Sequence, residues 1–480
     1  MKKRLSAVMD AGRKRGGIII ACIIVVAVLA IGFILALNNN NTIDNTLTGV
    51  NENDIDFTNT LVLYGMPYGD HLFSIAINIF KQKYPNVEII YTQYDDSQRY
   101  NQIIQTEIPA GKGPDLLVLS SYDFPDIYKV METGIFYDLN NFIENDSEFD
   151  MTLYNKSVMD SGVYHDMRYI IPLCYNTNLL LTSEEAMTNA GIDFTKFNTF
   201  NGFTDEIKKY YSNGGRTNLF YSPLANYGDT LTFFPWFGVE VIDYANKTVN
   251  IDNNNFKTIM DTYKSIYQND KSSNTRPPNN NVYTAGRDTK AVLNRQILFS
   301  MDESNYFSSL LLSYGVMLNT ETPILMTFPD ISNKTTASVS LMASVLSTSK
   351  NKRNAYEFLK ILLSDEIQSS VDVYTIRGTP VLNDAIDKRF ADTMESTGYG
   401  IVTAPVTFDD GNALMINEIS EQRLENIKSI IKNVDKCQLI VYGLYYDFVT
   451  PAMKPYFEDA DSYENCLNKL RNDLELYISE

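Results

Sequence analysis

At 480 residues, with 44% hydrophobic and 21% charged residues, the chain can bury the cores of two or three domains and is not a disordered protein. Its 59 acidic and 40 basic residues give a net charge of −19. Six basic residues, Lys2, Lys3, Arg4, Arg13, Lys14 and Arg15, crowd the N-terminus against Asp10 alone. Everything beyond residue 37 is strongly acidic, which argues against nucleic acid and anionic headgroups as partners.

Residues 16–37 read GGIIIACIIVVAVLAIGFILAL. A run of about 20 apolar residues crosses a hydrocarbon core of about 30 Å, whereas a cleavable signal has an apolar core of about 7–15. The expectation is a cytoplasmic basic segment at 1–17 and a transmembrane anchor, or uncleaved signal, at 18–37. The positive-inside rule then places the rest on the extracellular side as a single-pass protein of the cell membrane. The rival reading is lipid attachment at Cys22, since Ile19-Ile20-Ala21-Cys22 has the residue types of a lipidation box; cleavage there would leave a membrane span on the mature chain.

Residues 38–57 are rich in Asn, Asp and Thr without period and read as a linker. Next come a strand at 60–64, an amphipathic helix at 72–84, a strand at 87–91, a helix at 99–108, a strand at 116–119 and a helix at 126–131 closed by Gly134. Strands alternating with helices predict an α/β fold with a parallel sheet. The middle, 170–333, mixes short strands with helices at 205–211 and 256–267 and carries a polar loop at 269–281. The α/β rhythm returns with a strand at 338–346 and a helical pair from Asn351, and the tail is helical.

AGKGPDLLVLSSYD, from Ala110, sets glycines beside a strand but in the wrong order for a phosphate loop, which needs the strand first. Gly111 and Gly113 are therefore a turn, and a ligand at this strand would meet Ser120 to Asp123, beyond its carboxyl end. Cys174, Cys437 and Cys466 are an odd set; a Cys437–Cys466 bridge is open but not expected. With His71 and His165 the only histidines, there is no metal cluster, no cofactor motif and no catalytic triad.

Five stretches then resemble one family. NIFKQKYPNVEIIY, AGKGPDLLVLSSYDFPDIYKVMETGIFYDL, RYIIPLCYNTNLLLTSEEAMTNAGID, LNRQILFSMDESNYF, and LMASVLSTSKNKRNAYEFLKILLSDEIQ followed by RGTPV are similar, in order, to the sugar-binding extracellular solute-binding proteins of ABC transporters, the maltose-binding-protein-like family 1. The resemblance implies a two-lobed periplasmic-binding-protein-like fold of type II. Its lobes would be 58–171 with 338–376, and 172–337 with 377–480, the chain crossing at Pro172 and at Arg377-Gly378. It further implies a monomer that captures a small ligand, a sugar, in an interlobe cleft and delivers it to permease subunits.

The implied ligand-facing residues are Tyr64, Met66, Tyr68 and Asp70 after the first strand, and Ser120, Tyr122 and Asp123 after the third. In the second lobe they are Tyr175, Asn176, Trp236, Asp302, Glu303, Tyr306 and Arg377. Tyr122 either faces the ligand or packs over Pro125; Trp236 is either a stacking platform or core; Arg377 either bonds the ligand or braces the hinge. The 32 Tyr and 25 Phe supply stacking faces, although aromatic content is ordinarily core. The expected function is a non-enzymatic receptor. The alternative is a membrane-anchored sensing or adhesion module on the same fold. A glycosidase is the weaker third reading, because Asp95-Asp96 and Asp302-Glu303 are sequence neighbours that point in different directions, not carboxylates about 5–10 Å apart across a bond.

Overall fold

A computed structural model describes residues 57–65, 70–120, 123–124, 126–220, 234–269, 284–303, 306–370, 378–407 and 413–479. The anchor and linker expected at 18–57 lie, except for Phe57, outside the described residues. Among the described residues no helix is long and apolar enough to cross a membrane.

The strands, in chain order, are β1 (Thr60–Gly65), β2 (Glu88–Gln93), β3 (Leu116–Ser120), β4 (Val163–Tyr164), β5 (Met167–Arg168), β6 (Ile171–Ser183), β7 (Ile242–Asp243), β8 (Thr248–Val249), β9 (Ser300–Glu303), β10 (Pro323–Thr327), β11 (Thr336–Val345), β12 (Thr379–Pro380), β13 (Ala404–Thr407), β14 (Ala413–Ile416) and β15 (Lys436–Gln438). Nine of them form one sheet in the order β10-β6-β11-β3-β1-β2, with β9 and β12 also on β6 and β15 on β11; the other six form three hairpins.

β1 pairs parallel with β2 and β3, as alternating strands and helices require. The helix Asp70–Lys83 buries Leu72, Phe73, Ala76 and Phe80, one stripe at helical spacing. Asp96 caps the helix Ser97–Glu107 by accepting from the Arg99 amide.

Asp115, in the glycine-proline-aspartate turn, joins two of the motifs quoted above. Its carboxylate accepts from the Val62 amide (2.7 Å), the Ser349 hydroxyl (2.7 Å) and the Asn351 amide side chain (2.8 Å). The turn before it holds Gly113 at φ +120°, a conformation a side chain strains. The second glycine that matters is Gly378 of RGTPV. At φ +141° it lies so close to β6 that a Cβ would come within 2.7 Å of Asn176 Oδ1 and 2.8 Å of the Tyr175 carbonyl oxygen.

β6 runs through two ladders. Its first half, from Ile171 to Thr177, pairs with β11; its second half, from Asn178 to Ser183, pairs with β9 and β10. The exchange of partners falls between Thr177 and Asn178, beyond the proline at which the crossing was expected. The three cysteines of the described residues are free and buried, with no Cys437–Cys466 bridge. Burial pushes the Cys174 thiol up to about 11 and the Cys437 thiol to about 12.

Candidate functional site

Register on β11 locates the crevice. β3 pairs antiparallel with the second half of β11 and ends at Ser120, opposite Leu341. β15 pairs parallel with the first half and ends at Gln438, opposite Ser338. The two strands approach end to end along one side of β11, and their chains diverge from the same point. Ligands of open α/β sheets sit beyond carboxyl ends at such a switch of direction.

On the β3 side, the Ser120 amide donates to Asp123 Oδ2 (2.6 Å), and burial holds the Asp123 carboxyl above the usual carboxylate range. Asp126 then caps the helix Ile127–Glu132, its Oδ1 accepting from the amides of Tyr128 and Lys129. On the β15 side, residues 439–443 lead into a single π-helical stretch, Leu444–Val449. Such stretches are rare and are frequent at functional sites. Tyr442 and Tyr446, four residues apart, lie nearly parallel with centroids 6.1 Å apart, and Tyr446 is 37% exposed.

A cavity of about 180 Å³ is lined by Tyr128, Tyr164, Tyr244, Tyr445 and the carboxylates Glu240 and Asp243, together with Gln438 to Val441 from the end of β15. Tyr128 stacks on Tyr244 at 4.5 Å. Burial and the adjacent Asp126 raise the Tyr244 phenol far above its ordinary value, so it is a donor throughout the physiological range.

The residues expected from the sequence fall into four groups. Ser120 and Asp123 meet at the end of β3. Asn176 sits on β6 against Gly378, its buried Oδ1 without a hydrogen-bond partner among the described residues. Tyr306 is 44% exposed at the start of the helix Phe307–Met317. Tyr64 is half-buried, donates to Glu107 (2.7 Å) and packs edge-on to Tyr94, whereas Tyr175 is enclosed at 0% exposed, donating to the Ile431 carbonyl (3.2 Å). Trp236, 8% exposed, packs edge-on against Phe328. Tyr175 thus offers no ring face to a ligand, because a fully buried strand residue between two ladders must pack inward. Asp70 opens the helix Asp70–Lys83, and Asp302 and Glu303 pair through their backbones with Leu179 and Asn178. Met66, Tyr68, Tyr122 and Arg377 lie outside the described residues.

Sequence reasoning missed Tyr442 and Tyr446, whose four-residue spacing in VYGLYYDF was visible, and the group around Asp126, which was not. Among the described residues no group of His, Cys, Asp and Glu could hold a metal ion.

A family model described as bacterial extracellular solute-binding protein matches residues 76–397. No curated protein matches the chain in sequence. Among solved structures, the chain resembles a sugar-binding protein from the phytopathogen Xanthomonas citri (TM-score 0.59, 12% identity, covering 88% of this chain and 97% of that one). It also resembles a cyclic alpha-maltosyl-1,6-maltose binding protein from Arthrobacter globiformis (0.56, 12%, 87% and 98%). A third likeness is to an ABC substrate-binding protein from Listeria monocytogenes in complex with cycloalternan (0.53, 12%, 88% and 99%). These likenesses show the two-lobed periplasmic-binding-protein-like α/β fold.

Proposed function

The chain belongs to the bacterial extracellular solute-binding proteins, and on that premise we propose that it captures a carbohydrate between its lobes and delivers it to an ABC-transporter permease, without turning it over. The lobes are 58–177 with 336–370, and 178–335 with most of the C-terminal segment; β15 returns from the second to pair with β11. The bound sugars named for the structural relatives support the ligand class.

One observation carries the reading: the partly exposed, nearly parallel pair Tyr442 and Tyr446, on the chain that leaves β15. Parallel ring faces suit the apolar faces of sugar rings. Ser120 and Asp123 at the end of β3, Asn176 on β6 and Tyr306 are the polar candidates for exchanging hydrogen bonds with sugar hydroxyls, which cost about 1–3 kcal/mol each if buried unpaired. Met66, Tyr68, Asp70, Tyr122, Asp302, Glu303 and Arg377 complete the candidate set.

Residues 18–37 hold the protein at the outer face of the membrane, supported by the length of the apolar run and the basic residues ahead of it. N-terminal sequencing of membrane-extracted protein tests the anchor; a start near Asn38, or a modified Cys22, would contradict it. Thermal-shift screening against a carbohydrate library tests the function. A true ligand at 100 times its Kd adds about 2.7 kcal/mol of stability; a library without any stabilising sugar would refute the ligand class.

A further inference from the structure

The Asp126 carboxylate, 3% exposed, does more than cap its helix. Its Oδ2 accepts from the Tyr244 hydroxyl (2.6 Å) and from the Tyr477 hydroxyl (2.5 Å). Asp126 follows β3 of the first lobe. Tyr244 is on the β7–β8 hairpin, and Tyr477 is in the last helix, Tyr463–Ser479, which packs on β8 and on the helix Thr450–Phe457. Both donors therefore reach the aspartate from the second lobe.

Further contacts surround this centre. Lys129 Nζ donates to the Tyr477 carbonyl oxygen and lies over its ring at 3.8 Å. Tyr128 stacks on Tyr244, and the Tyr164 hydroxyl donates to Glu132 (2.8 Å), 3.3 Å from the Tyr244 carbonyl oxygen. At the exposed rim Lys247 pairs with Glu132 (3.2 Å), a contact of small value in water.

We propose that Asp126, with Tyr244 and Tyr477, is an interlobe latch that holds the ligand-free protein in the arrangement described. The physical basis is an exchange. With the lobes together the carboxylate has two charge-assisted hydrogen bonds in a dry setting, roughly twice as strong as neutral ones. With the lobes apart, water hydrates the carboxylate and both phenols. Two such alternatives of similar free energy make a bistable element that a ligand can bias. The proposal rests on the lobe assignment above and not on the identity of the ligand.

Double electron–electron resonance on the full chain in detergent, without sugar, tests it. Labels go on Gln102→Cys and Asn472→Cys, one exposed position in each lobe, in a Cys22→Ser background. A second pair, Gln102→Cys with Ser147→Cys, reports within the first lobe. The latch predicts one main interlobe distance in the parent. Tyr477→Phe and Asp126→Asn each shift the balance toward a longer distance by about tenfold, with the intralobe distance unchanged. An interlobe distribution identical to the parent's in both variants would overturn the latch. A shift in the intralobe pair would instead overturn the lobe assignment. Should Asp126→Asn fail to fold, Tyr477→Phe decides alone, since it removes one hydroxyl and keeps the ring under Lys129.

Discussion

Asp115 and Asp126 stand at the two ends of one passage through β3, and both are buried, yet their partners differ in kind. Those of Asp115 come from β1 and from the segment entering the helix Lys352–Leu362, all in one lobe. Those of Asp126 come from its own helix and from two tyrosines of the other lobe. A buried carboxylate satisfied within one lobe fixes that lobe; one satisfied across the junction can be relieved by water when the lobes part. The same contrast separates enclosed aromatics such as Trp236 from half-open ones such as Tyr446.

The sharpest way to break this contrast is Trp236→Ala. On the enclosed side of the comparison, it should lower stability by about 3–5 kcal/mol in denaturant unfolding. A folded variant of parental stability would move Trp236 into the cleft.

Asp115→Ala should cost on the order of 3 kcal/mol, because it strands the Val62 amide and two side-chain donors. Asp126→Ala should cost less, since opening lets water reach Tyr244 and Tyr477. Equal losses in the two unfolding curves would erase the distinction.

Glu206 sharpens the comparison with a pH signature. It is buried in the second lobe, accepts from Lys196 (2.8 Å), Lys209 (3.2 Å) and the Asp193 amide (3.2 Å), and its hydrogen bond with Lys196 is the chief cause holding it below the usual glutamate range. A lowered folded value contributes stability that is present above the unfolded pKa and lost as pH falls through the folded one. Glu206→Gln should therefore cost about 1–2 kcal/mol at pH 7, by the loss of a charge-assisted bond, and the gap should close in acid. A gap independent of pH would show that the charge is not what matters.

The smallest stability effect belongs to Tyr446→Ala, about 0.5 kcal/mol as for other part-exposed positions. A loss as large as that of Trp236→Ala, measured by the same unfolding curves, would put Tyr446 in the core.

Much of the fold was legible because it is written locally. The alternation of period-two and helical stretches foretold β1, β2, β3 and their helices to within a few residues, and the wrong order of glycines and strand correctly made Gly111–Gly113 a turn. RGTPV was recognisable as a motif, but only the structure explains it: the glycine is needed because β6 lies against it. Tyr175 was put forward for the cleft from its place after Pro172, but it is fully buried where β6 lies between β11 and β12. The latch was beyond reach, since Asp126 and Tyr477 are 351 positions apart and neither neighbourhood hints at the other. The Tyr442–Tyr446 pair was overlooked for a different reason: spacing alone does not say whether a tyrosine pair in a tail of helices faces core or solvent.

The central claim, a carbohydrate bound where β3 and β15 end, is tested most directly by calorimetric titration of the best-stabilising sugar into the parent and into Tyr446→Ala. Loss of one stacking face should remove about 1–3 kcal/mol of binding, so the parent should bind at one site per chain and the variant about tenfold to a hundredfold more weakly, both remaining folded. A folded Tyr446→Ala protein that binds the sugar as tightly as the parent would contradict it.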